Sequence, residues 1–383
     1  MKKKIKIAFI PSTFLPIIGG AEIQTHNLAN LIAFKGHTVD IWNTKKCFYK
    51  KKYYKLLNFN NIILMPTYLL RYYFKIKFNF ILKLYLKSII KSKKYHIWHF
   101  HSLNYKTLII SELLKELNQK VVFTFQGIDI QIDKKISYGY RLDSKYDILL
   151  KKNLKQIDKV YSISKEIDKN LFKLGFPKEK ILRIPNCVFF KKINKFRKNK
   201  EKKLILITVA RLATKKKGYD FVIKIARELK KKVNFHWIII GKNVDHLSYN
   251  KFISNNKKNF ELVGEIGNNE LFFPHSKLIK YYKSSSIYLH LSRIESFGIT
   301  VLEAIASGLP VIAFKSVGSN TLIKDKINGF LVNCYDTKEY AKKIVHVYKN
   351  KINFSKNSKY IKKYNLEKNC NKVLVDYNKI IAS

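Results

Sequence analysis

RIESFGITVLEAIASGLPVIAF, residues 293–314, sets a carboxylate on each side of a small turn and then runs into an apolar strand. With the preceding IYLHLS it reads as strand, turn, helix, tight turn, strand. Phe297, Gly298 and Ile299 therefore sit where a helix begins beyond the carboxyl end of a strand, and backbone N–H groups there can hold a diphosphate. Gly298 lets the backbone approach closely. Glu303 falls in the second helical turn, where a carboxylate can accept two hydrogen bonds from a ribose diol, and Glu295 faces the sugar side. Taken singly, each glutamate reads as well otherwise: Thr300-x-x-Glu303 as a capping box, Glu295 as a surface charge.

Two further stretches add to the pattern. In VARLATKKKGYDFVIKIA, residues 209–226, Arg211 closes a strand and Lys217-Gly218 precedes a helix. Two cations at a strand end can neutralise a leaving diphosphate. In PIIGGAE, residues 16–22, Gly19 and Gly20 stand just before a helix, where their N–H groups can approach a diphosphate or sugar. Alone, a Gly-Gly turn is weak evidence and Lys217 is one lysine among many.

The wider pattern is α/β. Apolar strands are expected at 5–10, 38–42, 96–102, 121–127 and 160–164, then at 204–210, 236–241, 287–292 and 311–314, with amphipathic helical segments between them. That alternation implies parallel sheets. Apolar content collapses over KKINKFRKNKEKK, residues 191–203, which marks a domain boundary. The 383 residues exceed one ordinary core and fit two doubly wound halves, with ligands expected in a cleft between them.

Lys and Arg number 76 against 26 Asp and Glu, a formal charge of +50, so the surface attracts polyanions or anionic lipid. An AT-rich codon bias also accounts for the Lys, Asn and Ile content, but it would enrich Asp and Glu as well, and these are scarce. Residues 45–94 concentrate aromatics with a cation every few positions, and no apolar run reaches spanning length. Lys83, Lys87 and Lys91 recur among Ile81, Leu84, Tyr85 and Ile89, which fits either a basic amphipathic helix lying on an anionic bilayer or a surface helix covering its own core. The four cysteines, Cys47, Cys187, Cys334 and Cys370, form no CxxC pair, so a disulfide framework or zinc site is not expected and a reducing cytoplasm fits. The start, MKKKIKIAFIPSTF, imitates a signal peptide, but Lys6 and Pro11 keep its apolar part short, and Ile5 to Ile10 reads as a buried first strand.

Together, in this order and spacing, these elements resemble the family 4 glycosyltransferases, the retaining GT-B enzymes also called group 1, over nearly the whole chain. The most specific part is Glu295 to Val311, similar to the family's E-x-F-G-x3-L-E-A-x-A-x-G-x-P-V signature. Gly36-His37-Thr38-Val39, His99-x-His101, Ile184-Pro185-Asn186, Gly241, Gly264 and Asn328-Gly329-Phe330 also match. The resemblance implies an acceptor-binding Rossmann-like domain over 1–190, a nucleotide-sugar domain over 200–362, and a last helix within 363–383 crossing back to the first domain. Carried over, Arg211 and Lys217 hold the diphosphate, Glu303 the ribose, and Glu295 with the Phe297–Ile299 backbone the sugar and phosphate. Gly241 lines the donor site, and Gly19 and Gly20 close on the donor from the N-terminal domain. His101 and Asp129 join Glu295, Arg211 and Lys217 as candidate catalytic residues, whereas His99 is expected in the core. The chain departs from the family at Gln126-Gly127-Ile128-Asp129, where H-G-x-D is usual, and at Asn186-Cys187, where N-G is usual. Gln126 retains a hydrogen bond but not a titratable charge. D-x-D is absent, so neither metal nor cofactor is expected, and the cations take over that electrostatic role.

The expected reaction is transfer of a sugar, with retention, from a nucleoside diphosphate sugar, uridine favoured over guanosine. The acceptor is expected to be a saccharide or lipid-linked saccharide, with the protein held peripherally at the inner face of the cytoplasmic membrane. A nucleic-acid-binding protein is a rival on charge alone, but no recognised module occurs and the lysines spread over both halves. A second rival is another sugar-nucleotide enzyme on the same architecture, such as an epimerase.

Overall fold

The structure, a computed structural model, describes residues 4–45, 49–76, 78–198, 203–267, 269–352 and 354–383, less the side chains of 214, 215, 317 and 355–359. Cys47, part of the basic aromatic stretch and residues 199–202 of the boundary run lie outside the described residues. The chain divides into two compact units, residues 1–185 with 367–383, and residues 186–366. The division precedes the lysine-rich 191–203 run because Val188 belongs with the second unit. Its N–H donates to the Tyr364 carbonyl (3.0 Å), and its carbonyl accepts from the Leu366 N–H (3.1 Å).

The first unit is built on seven parallel strands: β1 (Lys6–Pro11), β2 (Thr38–Asn43), β3 (Lys55–Asn58), β4 (Ile97–His101), β5 (Val121–Phe125), β6 (Lys159–Ser162) and β7 (Ile181–Arg183). Their order is β3-β2-β1-β4-β5-β6-β7. The central strands are apolar runs because helices cover both faces of the sheet: Ile7 to Ile10, Ile97 and Trp98, and Val121 to Phe123 are fully buried. The terminal helix Leu366–Ala382 packs on this unit. Its Tyr377 hydroxyl meets His99 Nδ1, and its Asp376 accepts from the Tyr161 hydroxyl at 2.9 Å.

The second unit has six strands: β8 (Leu204–Val209), β9 (Phe235–Ile240), β10 (Phe260–Val263), β11 (Ile287–His290), β12 (Val311–Phe314) and β13 (Gly329–Val332). Their order, β10-β9-β8-β11-β12-β13, is again parallel throughout. In each sheet the order reverses direction next to its first strand, between β1 and β4 and between β8 and β11. The loops leaving the carboxyl ends of those two strands then diverge to opposite sides and open a crevice, the usual ligand position in such sheets. Strands β3, β7, β10 and β13 were not expected from sequence. All are short, and they lie at or next to sheet edges, where the apolar run thins.

The helix Phe80–Lys93 turns Leu82, Leu86 and Ile89 inward, and Lys83 pairs with Glu116 at 3.0 Å. Its inner face thus covers the unit's own core, while Phe80, Ile81 and Leu84 stay exposed. No helix of the described residues is long and apolar enough to cross a membrane.

Candidate active site

In the second unit, Arg211 and Lys217 follow β8, and Glu295, Phe297 and Gly298 follow β11, so the crevice falls between them. Three glycines make that convergence possible. At Gly218, with φ of +69°, an added Cβ would stand 2.2 Å from the Leu291 carbonyl oxygen; at Gly241, with φ of +153°, it would stand 2.0 Å from that of Ala210. Any other residue would force the loops after β8, β9 and β11 apart. Gly318, at the start of the helix Val317–Leu322, donates its N–H to the Glu295 carbonyl at 2.7 Å, and a Cβ there would meet Glu295 Cγ at the same distance.

This scaffold brings Lys217 Nζ to 2.7 Å from Glu295 Oε2, with both side chains 17% exposed. Burial works against a charge on Glu295, but the Lys217 ammonium and the neighbouring His290 and Lys216 outweigh it and hold the carboxyl at about 2. Glu295 is thus ionised and Lys217 is already oriented. Lys216 is brought down to about 8 by burial first and by the Lys217 ammonium second. Arg211 is exposed beyond the strand end.

Gly298 caps the helix Ile299–Ala306 in the left-handed region, φ +90°, ψ +58°. Intrahelical bonding begins with the Leu302 N–H to the Gly298 carbonyl (3.1 Å), so the N–H groups of Ile299 to Val301 precede the first intrahelical donor. The Phe297 side chain is buried edge-on against Tyr364 and anchors the turn. Thr300 accepts from the Tyr288 hydroxyl at 2.7 Å. Glu303 is buried and takes a hydrogen bond from the Tyr282 hydroxyl at 3.0 Å. Burial pushes its carboxyl up to about 8, with the Tyr282 bond pulling the other way. Glu303 and Glu295 are two carboxyls in opposite states, one neutral and one ionised at neutral pH.

Three participants escaped sequence reasoning. His290 ends β11, is buried, and carries an Nε2 with no hydrogen-bond partner among the described residues; burial lowers it to about 4, so it is neutral. Arg293 clamps Asp220 through two bonds of 2.8 and 2.6 Å and lies over the Phe221 ring, bracing the β8 and β11 loops. Gly318 is the third. No local signal marks these residues, whose roles come from the register of neighbouring strands.

In the first unit, Gly19 is the extended N-cap of the helix Gly20–Phe34. The Thr13 hydroxyl donates to Glu22, whose other carboxylate oxygen would lie 2.5 Å from a Cβ at Gly19. His101 ends β4 on the neighbouring strand, buried, with Nε2 unpartnered among the described residues and its imidazole brought down to about 3 by burial. His99 is a satisfied core residue, bonded to Thr124 (2.7 Å) and Tyr377. Asp129 is fully buried. Its carboxylate accepts the N–H groups of Gly127 (2.8 Å), Gln126 (3.1 Å) and Leu103 (3.1 Å), which pins the loops after β4 and β5. Those bonds lower its affinity for a proton, but burial dominates and raises it to about 6. Asp129 therefore ties the loop that follows His101 to the loop that follows β5. No group of three or more His, Cys, Asp or Glu placed to hold a metal occurs among the described residues.

Comparison with known proteins finds two family models in tandem: "Glycosyltransferase Family 4" over residues 18–189 and "Glycosyl transferases group 1" over residues 189–368. A Klebsiella pneumoniae protein described as an uncharacterized 41.2 kDa protein in the cps region is 30% identical over 275 residues, 67% of this chain and 70% of that one. An uncharacterized glycosyltransferase of Haemophilus influenzae is 31% identical over 188 residues, 48% of this chain and 50% of that one. The alignment thus spans half the length of the Haemophilus relative. Among solved structures, a glycosyltransferase from Rickettsia africae superposes with a TM-score of 0.76 at 20% identity, covering 99% of both chains. Anabaena HepE, solved in complex with UDP, gives 0.75 at 14% identity, covering 98% of this chain and 100% of that one. At those identities the likeness establishes the fold.

Proposed function

Since the chain belongs to the family 4, group 1 glycosyltransferases and has their GT-B fold, we propose that it moves a hexosyl or N-acetylhexosaminyl group from a nucleoside diphosphate sugar to a saccharide or lipid-linked saccharide. The observation that carries the reading is the Lys217–Glu295 pair facing a helix start at the reversal point of the second sheet. In this reading Lys217, Arg211 and the N–H groups of Ile299 to Val301 bind the diphosphate and Glu303 the ribose; the Lys217–Glu295 contact and the helix start at Gly298 support it. Gly241 supports this loop geometry, and Glu295 orients both Lys217 and the sugar.

Departure of the diphosphate puts negative charge on its bridging oxygen, and fixed cations and N–H dipoles aimed there lower the barrier. Neutral His101 and the loop held by Asp129 belong to the acceptor unit with Gly19 and Gly20. The anomeric configuration is retained, and the leaving phosphate takes the acceptor proton, which accounts for the lack of an obvious general base. UDP is favoured as the carrier because HepE of like fold is solved with it. The reaction serves surface polysaccharide or glycolipid synthesis, performed peripherally at the cytoplasmic face of a membrane; what supports its place in a biosynthetic region is the Klebsiella relative's description, in a cps region.

The test is release of UDP from a panel of UDP-sugars. Wild type is expected to turn over one donor, and Lys217→Ala to slow it by roughly 10²–10³-fold, the size of losing one transition-state charge donor. Equal turnover by wild type and Lys217→Ala would remove Lys217 from the chemistry.

A further inference from the structure

The described chain exposes 21 large hydrophobic side chains, and nine of them fall within residues 62–84. They gather at the corner joining the helices Asn61–Tyr72 and Phe80–Lys93: Tyr73 is 61% exposed, Phe74 69% and Phe80 68%, with Ile76, Phe78 and Ile81 beside them. A contiguous apolar patch of this kind marks an interaction surface.

The corner is held in place. The first helix is fixed by Leu64, Thr67 and Arg71 on its inner face, Arg71 pairing with buried Glu112, and its end is tied down by the Tyr72 hydroxyl to Asp143 at 2.7 Å. Backbone bonds from Phe74 and Ile76 to the Leu70 carbonyl (3.2 and 3.0 Å) shape the turn. Leu82, Leu86 and Ile89 dock the second helix. The apolar residues of the corner are therefore displayed by a braced turn whose inner faces are already satisfied.

The charge around it identifies the partner. Between Asp40 and Glu112 the sequence has no carboxylate and fifteen Lys and Arg. Exposed Lys75 lies within the corner, and exposed Lys87 and Lys91 follow it on the second helix. We propose that this corner is a membrane wedge, inserting Phe74, Ile76, Phe78 and Phe80 among the acyl chains of an anionic bilayer while Tyr73 and the lysines stay at the headgroups. Aromatic rims with basic flanks suit that interface, and each lysine near an anionic surface adds to the attraction. A second copy is disfavoured because two surfaces of the same strong positive charge repel. A nucleic acid offers nothing for Ile76 and Ile81 to pack on. The inference extends the peripheral-membrane reading but does not depend on the transferase one, since vesicle binding needs neither donor nor acceptor.

The experiment is flotation of the full chain with vesicles of phosphatidylcholine, with or without phosphatidylglycerol. Wild type is expected to float with the anionic vesicles, and Phe74→Ser/Phe78→Ser to bind roughly tenfold or more weakly, the loss of two partly inserted aromatics. Unchanged UDP binding and thermal midpoint of the double variant would show that the fold is intact. Phe78→Trp gives a second readout: Trp42, Trp98 and Trp237 are buried, so quenching of the added fluorescence by brominated lipid reports insertion. Vesicle binding unaffected by the serine variant, or an unquenched Trp at position 78, would overturn the wedge. A dimer of the wild type that the serine variant converts to monomer would overturn it equally, assigning the corner to a second copy.

Discussion

Glu303 carries a physical contradiction that a ligand would resolve. A ribose diol donates two hydrogen bonds, so its best partner is a carboxylate, yet burial holds the unoccupied carboxyl at about 8. Below that value, binding must remove a proton, and the work of removing it is charged to affinity. UDP affinity is therefore expected to rise about tenfold per pH unit toward pH 8 and then to level off. Glu303→Gln should bind more weakly and lose that dependence. Calorimetric titration at several pH values checks it, and a flat wild-type profile would separate Glu303 from the ribose. Much of this was legible in the sequence: the two glutamates, Lys217 and Gly298 were picked out by type and spacing. Their opposite ionisation was not, because it depends on the burial of Glu303 and on the Lys217 contact of Glu295, which three-dimensional packing supplies.

At the scale of elements, the loops do the positioning. Glu295 is fixed less by its own turn than by Gly318, which arrives from the strand next door. Gly318→Ala would press a methyl group into Glu295 Cγ and the Phe297 carbonyl carbon, at 2.7 and 2.9 Å. The turn must shift, taking Glu295 off Lys217. UDP affinity is expected to fall about tenfold and the protein to lose on the order of 1–3 kcal/mol of stability. Gly267→Ala, where an added Cβ meets nothing within 4 Å, is the matched control and should be neutral in both assays. Equal effects of the two substitutions, measured by calorimetry and denaturant unfolding, would deny Gly318 its role. The central strands were readable because burial on both faces demands uninterrupted apolar runs. The edge strand β3, KLLN, was not, since half of it faces away from the core. The lysine period in the helix Phe80–Lys93 likewise drew attention to its outer face, although its inner leucines decide where it sits.

On the scale of the whole molecule, the chain repeats one device. Two parallel sheets each reverse direction beside their first strand, and the proposed site residues lie at or just beyond the ends of the two strands that flank the reversal: Gly19, Gly20 and His101 in the first unit, Arg211, Lys217, Glu295 and Gly298 in the second. The strong positive charge serves both ends of the proposed reaction, a diphosphate donor and an anionic surface. The central claim is that the second unit's crevice holds a nucleoside diphosphate between Lys217 and the Gly298 helix start. Calorimetric titration of the full chain with UDP and with uridine tests it most directly. UDP should bind at least about tenfold more tightly than uridine, a difference lost in Lys217→Ala. Equal affinities of UDP and uridine for the wild type, or a UDP preference that survives in Lys217→Ala, would contradict it.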